Sequence, residues 1–124
     1  MKPRIYFDSL TGNVRRFTER LPFEAEFIAE VTSVESPFIL ITYTTGFGNV
    51  PTTTAEFLRK HGDYLIGVAS SGNIIWGENF GKAADRIALV YNVPILLKFE
   101  LSGTDHDIKK ITERVEAIWQ NGRN

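Results

Sequence analysis

Four short stretches hold most of the groups in this chain that could do chemistry. The first is Ser9-Leu10-Thr11-Gly12-Asn13, followed directly by Val14. It carries two hydroxyls, an amide and a glycine, with no acid, Lys, Cys or His. Hydroxyls and backbone N–H groups at the start of a helix bind an anion such as phosphate without a basic side chain. Glycine lets the backbone approach closely or take a positive φ. The second stretch is Thr44-Thr45-Gly46-Phe47-Gly48-Asn49-Val50-Pro51. The third runs from Ser70 and Ser71 through Gly72, Asn73, Ile74, Ile75, Trp76 and Gly77 to Phe80. The fourth is Leu101-Ser102-Gly103-Thr104. Phe47 and Trp76 read as exposed aromatics on these loops, able to stack on a flat ring. A phosphate cradle beside two aromatic-bearing loops describes a site for a mononucleotide with a large planar ring. The plain alternative is that each stretch is only a turn, since Gly, Asn and Ser are turn residues everywhere.

Rival chemistries fail on particular residues. A Walker loop needs Gly-x-x-x-x-Gly-Lys-Ser/Thr, which is absent. Gly46-Phe47-Gly48 supplies two glycines of a dinucleotide fingerprint, but Pro51 stands where the third belongs. A phosphorylated receiver domain needs an acid after the third strand, where this chain has Tyr43-Thr44-Thr45. A cysteine-dependent phosphatase needs a Cys in the first loop. The chain has no cysteine at all, which also removes disulfides, Cys-ligated zinc and iron–sulfur clusters. His61 and His106 lack partners at metal-ligand spacing, so no metal site is expected.

The elements that must position these loops can be read from periodicity. Ile5 to Phe7 is a short strand. Val14, Phe17 and Leu21 mark one face of a first helix, which Pro22 closes. Residues 26 to 29 make a weak second strand at an edge. Phe38 to Tyr43 is continuous, β-branched and aromatic, the pattern of a strand buried on both faces. Pro51 and Thr52 open a second helix. Leu65 to Ala69 is a fourth strand. Phe80, Ala83, Ala84, Ile87 and Tyr91 carry a third helix, and Pro94 to Phe99 a fifth strand. Thr104 caps a last helix, with Asp105 and Asp107 in its first turn, where acids suit the helix dipole. Residues 121 to 124 read as a frayed tail. The order β-α-β-β-α-β-α-β-α implies right-handed crossovers and a mostly parallel sheet. No helix fits between strands two and three, so the fold is abridged there. In such a sheet ligands bind beyond the carboxyl ends of the strands, which is where all four loops fall.

Composition sets the outer limits. The chain has 124 residues, is 43% hydrophobic and 23% charged, and carries a net charge of −1. That suits one compact domain over residues 1–124. It argues against nucleic acid or a membrane surface as a general partner, since both need a basic face. The apolar run after Met1-Lys2-Pro3-Arg4 is too brief for a leader or a span, and a cytoplasmic location is expected.

The four stretches together carry a family resemblance. Ser9-x-Thr11-Gly12-Asn13 is similar to the phosphate loop of flavodoxins, which bind FMN. More narrowly, "FDSLTGNVRRF", "PFILITYTTGFGNVP", "GVASSGNIIWGENFG" and "VPILLKFELSGT", in that order, resemble the NrdI family over residues 4 to 119. The resemblance implies a flavodoxin-like α/β fold, a doubly wound five-stranded parallel sheet in the order 2-1-3-4-5 with helices on both faces. It implies non-covalent FMN, reduced by a reductase or other electron donor. Reduced flavin in this family reacts with dioxygen. The oxidant passes to the small subunit of a class Ib ribonucleotide reductase, where it oxidises a dimanganese centre and generates the tyrosyl radical. By position, Ser9, Leu10, Thr11, Gly12, Asn13 and Val14 would hold the FMN phosphate. Thr44, Thr45, Gly46, Phe47, Gly48, Asn49 and Val50 would border one side of the ring. In flavodoxins a peptide of this loop can turn to accept a hydrogen bond from the reduced ring, and Gly46 makes that turn cheap, so Gly46 and Phe47 form a tuning loop. Ser71, Gly72 and Asn73 would meet the ring's polar edge, and Trp76 with Gly77 would cover its other side. The partner would face the loops rimming the ring. Acidic loops disfavour a reduced, anionic flavin. Only Asp8 and Glu78 lie near this site, so the two one-electron steps are expected closer in potential than in acidic flavodoxins. Two alternatives stay open: a general flavodoxin-type electron carrier, and a cofactor-free interaction domain on the same fold.

Overall fold

The computed structural model describes residues 2–122. Five strands form one parallel sheet: β1 (Ile5–Phe7), β2 (Ala25–Phe27), β3 (Phe38–Tyr43), β4 (Leu65–Gly72) and β5 (Ile95–Glu100), in the spatial order β2-β1-β3-β4-β5. Four α-helices connect them: α1 (Asn13–Glu19), α2 (Thr52–His61), α3 (Lys82–Tyr91) and α4 (Asp105–Gly122). After β1 the chain goes one way to β2, then returns across β1 to β3. The carboxyl ends of β1 and β3 therefore diverge into a crevice, as they do in flavodoxin, the standing example of this strand order.

Strand alternation sends side chains to two cores. Ile5, Phe7, Ile39, Ile41 and Phe99 pack with Val14 and Phe17 of α1 and Ile111 and Val115 of α4. Tyr6, Phe38, Leu40 and Val68 pack on the other face with Phe57 and Leu58 of α2 and Ala84 and Ile87 of α3. Central β3 serves both cores, and Phe38 to Ile41 are wholly buried. That explains its unbroken apolar run.

Several boundaries differ from the sequence reading. β2 ends at Phe27 because its only ladder partner, β1, ends at Phe7. Beyond it Ile28–Glu30 form a 3₁₀ turn that buries Ile28. A loop then reaches β3 with no helix between, as expected. β4 runs to Gly72, three residues past Ala69, because Tyr43 and Glu100 extend the neighbouring ladders to meet it. Ser71 and Gly72 thus sit on the sheet's rim, held by strand bonds. The third helix starts at Lys82: Phe80 is extended, and Gly81 is left-handed at φ 61°. Ile74–Asn79 form an unforeseen 3₁₀ segment broken at Gly77. The expected tail at 121–124 is corrected in its first half. Asn121 and Gly122 continue α4, and Arg123 and Asn124 lie outside the described residues. Thr104 does cap α4. Its Oγ1 accepts from Asp107 N at 3.1 Å, and Asp107 Oδ2 accepts from Thr104 N at 2.9 Å. This reciprocal pair has the geometry of a capping box.

Candidate functional site

A cleft of about 230 Å³ opens at the carboxyl end of the sheet. Of the residues expected there, Ser9, Leu10, Thr11, Asn13, Val14, Thr44, Thr45, Gly46, Ser71, Gly72, Asn73 and Trp76 line it. Gly12, Phe47, Gly48, Asn49, Val50 and Gly77 lie in the same loops without lining it. Tyr43, Asn79 and Leu101 also line the cleft. Asn79 and Leu101 belong to the third and fourth stretches but carried no expected ligand contact, and Tyr43 is the last residue of β3, brought in by the packing of strands.

The first loop gathers hydroxyls and backbone donors at the start of α1. Gly12 sits at φ 93° directly before α1, and its carbonyl accepts the first helical bond, from Arg16 N. Ser9 Oγ reaches forward to accept from Arg15 N at 3.3 Å. Among the described residues, the backbone N–H groups of Leu10 through Val14 donate to no protein acceptor. Unclaimed donors at this density need water or a ligand. Together with the Ser9 and Thr11 hydroxyls, they form a donor set suited to phosphate oxygens.

Beneath the loop lies a buried polar chain. Asp8 is 3% exposed and accepts from Thr53 Oγ1 at 2.5 Å and Thr54 Oγ1 at 2.7 Å. Because Thr54 donates to Asp8, its own oxygen accepts from Thr42 Oγ1, also at 2.7 Å. These bonds tie β1, β3 and α2 together under Ser9. Burial raises the Tyr43 phenol above its ordinary pKa, the Asp8 charge raises it further, and a hydrogen bond with Thr53 offsets part of the rise.

The second loop is a tight reversal. Thr45 and Asn49 exchange both backbone bonds, at 3.0 and 2.7 Å, and Gly46 and Gly48 take positive φ. Phe47 stands at the tip, 75% exposed. The two glycines are not equivalent. A Cβ on Gly48 would press on Lys82 and Asn79, and Arg86 Nε holds the Gly48 carbonyl at 2.6 Å. A Cβ on Gly46 would meet only Asn49 Nδ2, at 3.1 Å. One leg of the loop is fixed against α3 while the other stays open.

The third wall is the end of β4. Ser71 Oγ donates to Leu101 O at 2.6 Å, and Leu101 N donates to Gly72 O at 3.0 Å. Gly72 is required there, since a Cβ would come within 2.8 Å of Gly81 N. Trp76 and Phe47 do not stand apart. Their rings meet edge to face with centroids 6.0 Å apart. Among the described residues no acid lines the cleft, Asp8 and Glu78 included. Leu10, Phe47, Ile74, Ile75, Trp76 and Leu101 give its rim a largely apolar, exposed surface. Among the described residues no His, Cys, Asp and Glu group could hold a metal ion, and no helix is long and apolar enough to cross a membrane.

This architecture is that of a flavodoxin-like α/β protein. A short-chain flavodoxin associated with a bacterial microcompartment superposes with a TM-score of 0.73 at 18% identity, covering 96% of this chain and 97% of that one. A Streptococcus pneumonia flavodoxin gives 0.69 at 23% identity, covering 96% and 98%. At these identities the likeness concerns the fold. Sequence narrows it further. The family model described as "NrdI Flavodoxin like" matches residues 5–113. Protein NrdI of Bacillus licheniformis is 52% identical over 116 residues, covering 93% of this chain and 88% of the relative. The SPbeta prophage-derived protein NrdI of Bacillus subtilis is 46% identical over 116 residues, covering 90% of each. Protein NrdI of Macrococcus caseolyticus is 41% identical over 115 residues, covering 92% and 89%. The chain belongs to the NrdI family.

Proposed function

We propose that this protein, as one flavodoxin-like domain in the cytoplasm, binds FMN non-covalently in the cleft beyond β1, β3 and β4. The observation that carries this reading is the first loop: two hydroxyls and a run of unclaimed N–H donors at the crevice of a sheet with flavodoxin topology. Ser9, Thr11 and the N–H groups from Leu10 to Val14 would hold the phosphate. Gly72, Asn73 and the Ser71 backbone would meet the ring's polar edge, and Gly46, Phe47 and Trp76 its faces. The absence of acids from the lining suits a ring that becomes anionic on reduction.

Bound FMN would supply the redox chemistry, passing electrons from a reductase to dioxygen. The protein's residues would orient the ring, and the exposed apolar rim would be the face offered to a partner. Family membership supports the rest: the oxidant goes to the dimanganese small subunit of a class Ib ribonucleotide reductase and produces its tyrosyl radical. The metal is the partner's, in keeping with a chain that offers hydroxyls and amides in its cleft. The test is reconstitution. FMN-loaded protein, chemically reduced and mixed with oxygen and a manganese-loaded small subunit, should yield the radical by electron paramagnetic resonance. Failure there, with normal electron transfer to other acceptors, would favour a general electron carrier.

A further inference from the structure

The first loop has no basic residue within it, yet a guanidinium lies against its outer side. Arg16 Nη1 stands 2.7 Å from where a Cβ on Gly12 would be. Arg16 Nη2 donates to Asn13 Oδ1 at 2.6 Å, and Arg16 Nε donates to Ser102 Oγ at 3.1 Å. Ser102 Oγ in turn donates to the same Asn13 Oδ1 at 2.8 Å. The three bonds close a triangle between the start of α1 and the turn after β5. One helical turn on, Arg20 Nη1 donates to the carbonyls of Ser102 and Gly103 at 3.0 and 3.1 Å. Ser102 is thus held through both its backbone and its side chain.

We propose that Arg16 and Ser102 are positioning residues for the cofactor phosphate, acting through Asn13. The inference rests on the FMN reading above. An amide side chain has one acceptor end and one donor end. With two donors on Oδ1, the Asn13 amide has a single satisfied orientation. Its Nδ2 faces the first loop, 3.4 Å from Thr11 Oγ1. The triangle therefore offers Asn13's N–H₂ to the anion and fixes the Gly12–Asn13 peptide beside it. Arg16 and Ser102 do not line the cleft, so both would act through Asn13 and not by direct contact. Arg16 also adds a positive charge behind the loop, on the side away from the cleft that would hold a phosphate dianion. A lysine in its place would keep that charge but lack the planar fork that reaches Asn13 and Ser102 together.

The test compares FMN with riboflavin, which has the same ring and no phosphate. Dissociation constants for both are measured by flavin fluorescence on the wild-type protein, Ser102→Ala, Arg16→Gln and Arg16→Lys. FMN binding should weaken about five- to tenfold in Ser102→Ala and Arg16→Gln, and by a smaller factor in Arg16→Lys, the scale of losing one ordinary hydrogen bond. Riboflavin binding should move less than about twofold, since the ring contacts are untouched. A merely structural role would weaken both ligands alike, and that result overturns the proposal. Ser102→Ala is the conservative arm should Arg16 variants fold poorly. Wild-type protein that binds FMN while every variant matches it overturns this inference alone. Wild-type protein that binds neither flavin overturns the FMN reading and this inference with it.

Discussion

Replacing Trp76 with alanine separates the ring's share of flavin binding from the phosphate's. Trp76 is 48% exposed and meets Phe47 at 87°, with centroids 6.0 Å apart. A flat ring held between two aromatic faces needs about 7–8 Å between them, twice the van der Waals contact distance. A flavin seated between Trp76 and Phe47 must therefore part this pair. Stacking a flat heterocycle on an aromatic is worth about 1–3 kcal/mol by alanine substitution. The edge-to-face pair given up is worth about 0.5–1.5 kcal/mol. The difference leaves about 1 kcal/mol for Trp76, or roughly a fivefold rise in Kd. The rise should be the same for FMN and riboflavin, because the phosphate loop lies on the other side of the cleft. Phe47→Ala, which releases Trp76 in advance, should weaken binding less than Trp76→Ala. Flavin fluorescence titrations read all four values. A Trp76→Ala variant with unchanged affinity, or a loss confined to FMN, would refute the assignment of Trp76 to the ring.

Three other outcomes follow from the geometry. Gly103 has φ 74°, and a Cβ there would stand 2.6 Å from Phe17 Cδ1, in a ring stacked on Phe99 at 3.8 Å; Gly103→Ala should cost about 2–5 kcal/mol in urea unfolding, combining a left-handed backbone with overpacking. Gly77→Ala, at φ 58° and ψ −122° with nothing nearby, should cost only its backbone strain, about 1–3 kcal/mol, and a larger cost than at Gly103 would contradict the packing argument. The Tyr43 phenol is raised by burial and then by Asp8, so its stabilisation is complete below the unfolded value of about 10 and is lost as pH climbs through the native value. One of the four tyrosines should therefore ionise late in a phenolate absorbance titration; Asp8→Asn should bring it only part of the way back, and full reversion would mean that charge outweighs burial. Redox titration of the FMN-loaded protein should give two one-electron steps close in potential, since no acid lines the cleft; two well-separated steps would contradict this.

Much of the molecule was legible in its sequence, and the exceptions have physical causes. β3 and the core-facing helix positions follow from apolar spacing, because burial on both faces leaves no room for polar interruption. The capping of α4 by Thr104 follows from local chemistry. Strand ends do not. β4 reaches Gly72 only because β3 and β5 supply ladder partners that far, which is a property of neighbours and not of Ser70-Ser71-Gly72. Site residues divide in the same way. Ser9, Thr11 and Asn13 belong to one turn and can be read together. Tyr43, Asn79, Arg16 and Ser102 take their places from long-range packing. One signal for Arg16 was available: it lies three residues after Asn13, the spacing at which helical side chains meet.

If the cleft is an FMN site anchored by the first loop, the protein should take up the cofactor directly. The most direct test is to incubate the purified protein with FMN, remove free ligand by gel filtration, and record visible absorbance against protein concentration. A yellow protein with one FMN per chain is expected, and a markedly lower yield for a Ser9→Ala, Thr11→Ala double variant that still retains riboflavin affinity. A colourless wild-type protein, or a double variant that loads FMN as well as the wild type, would contradict that reading.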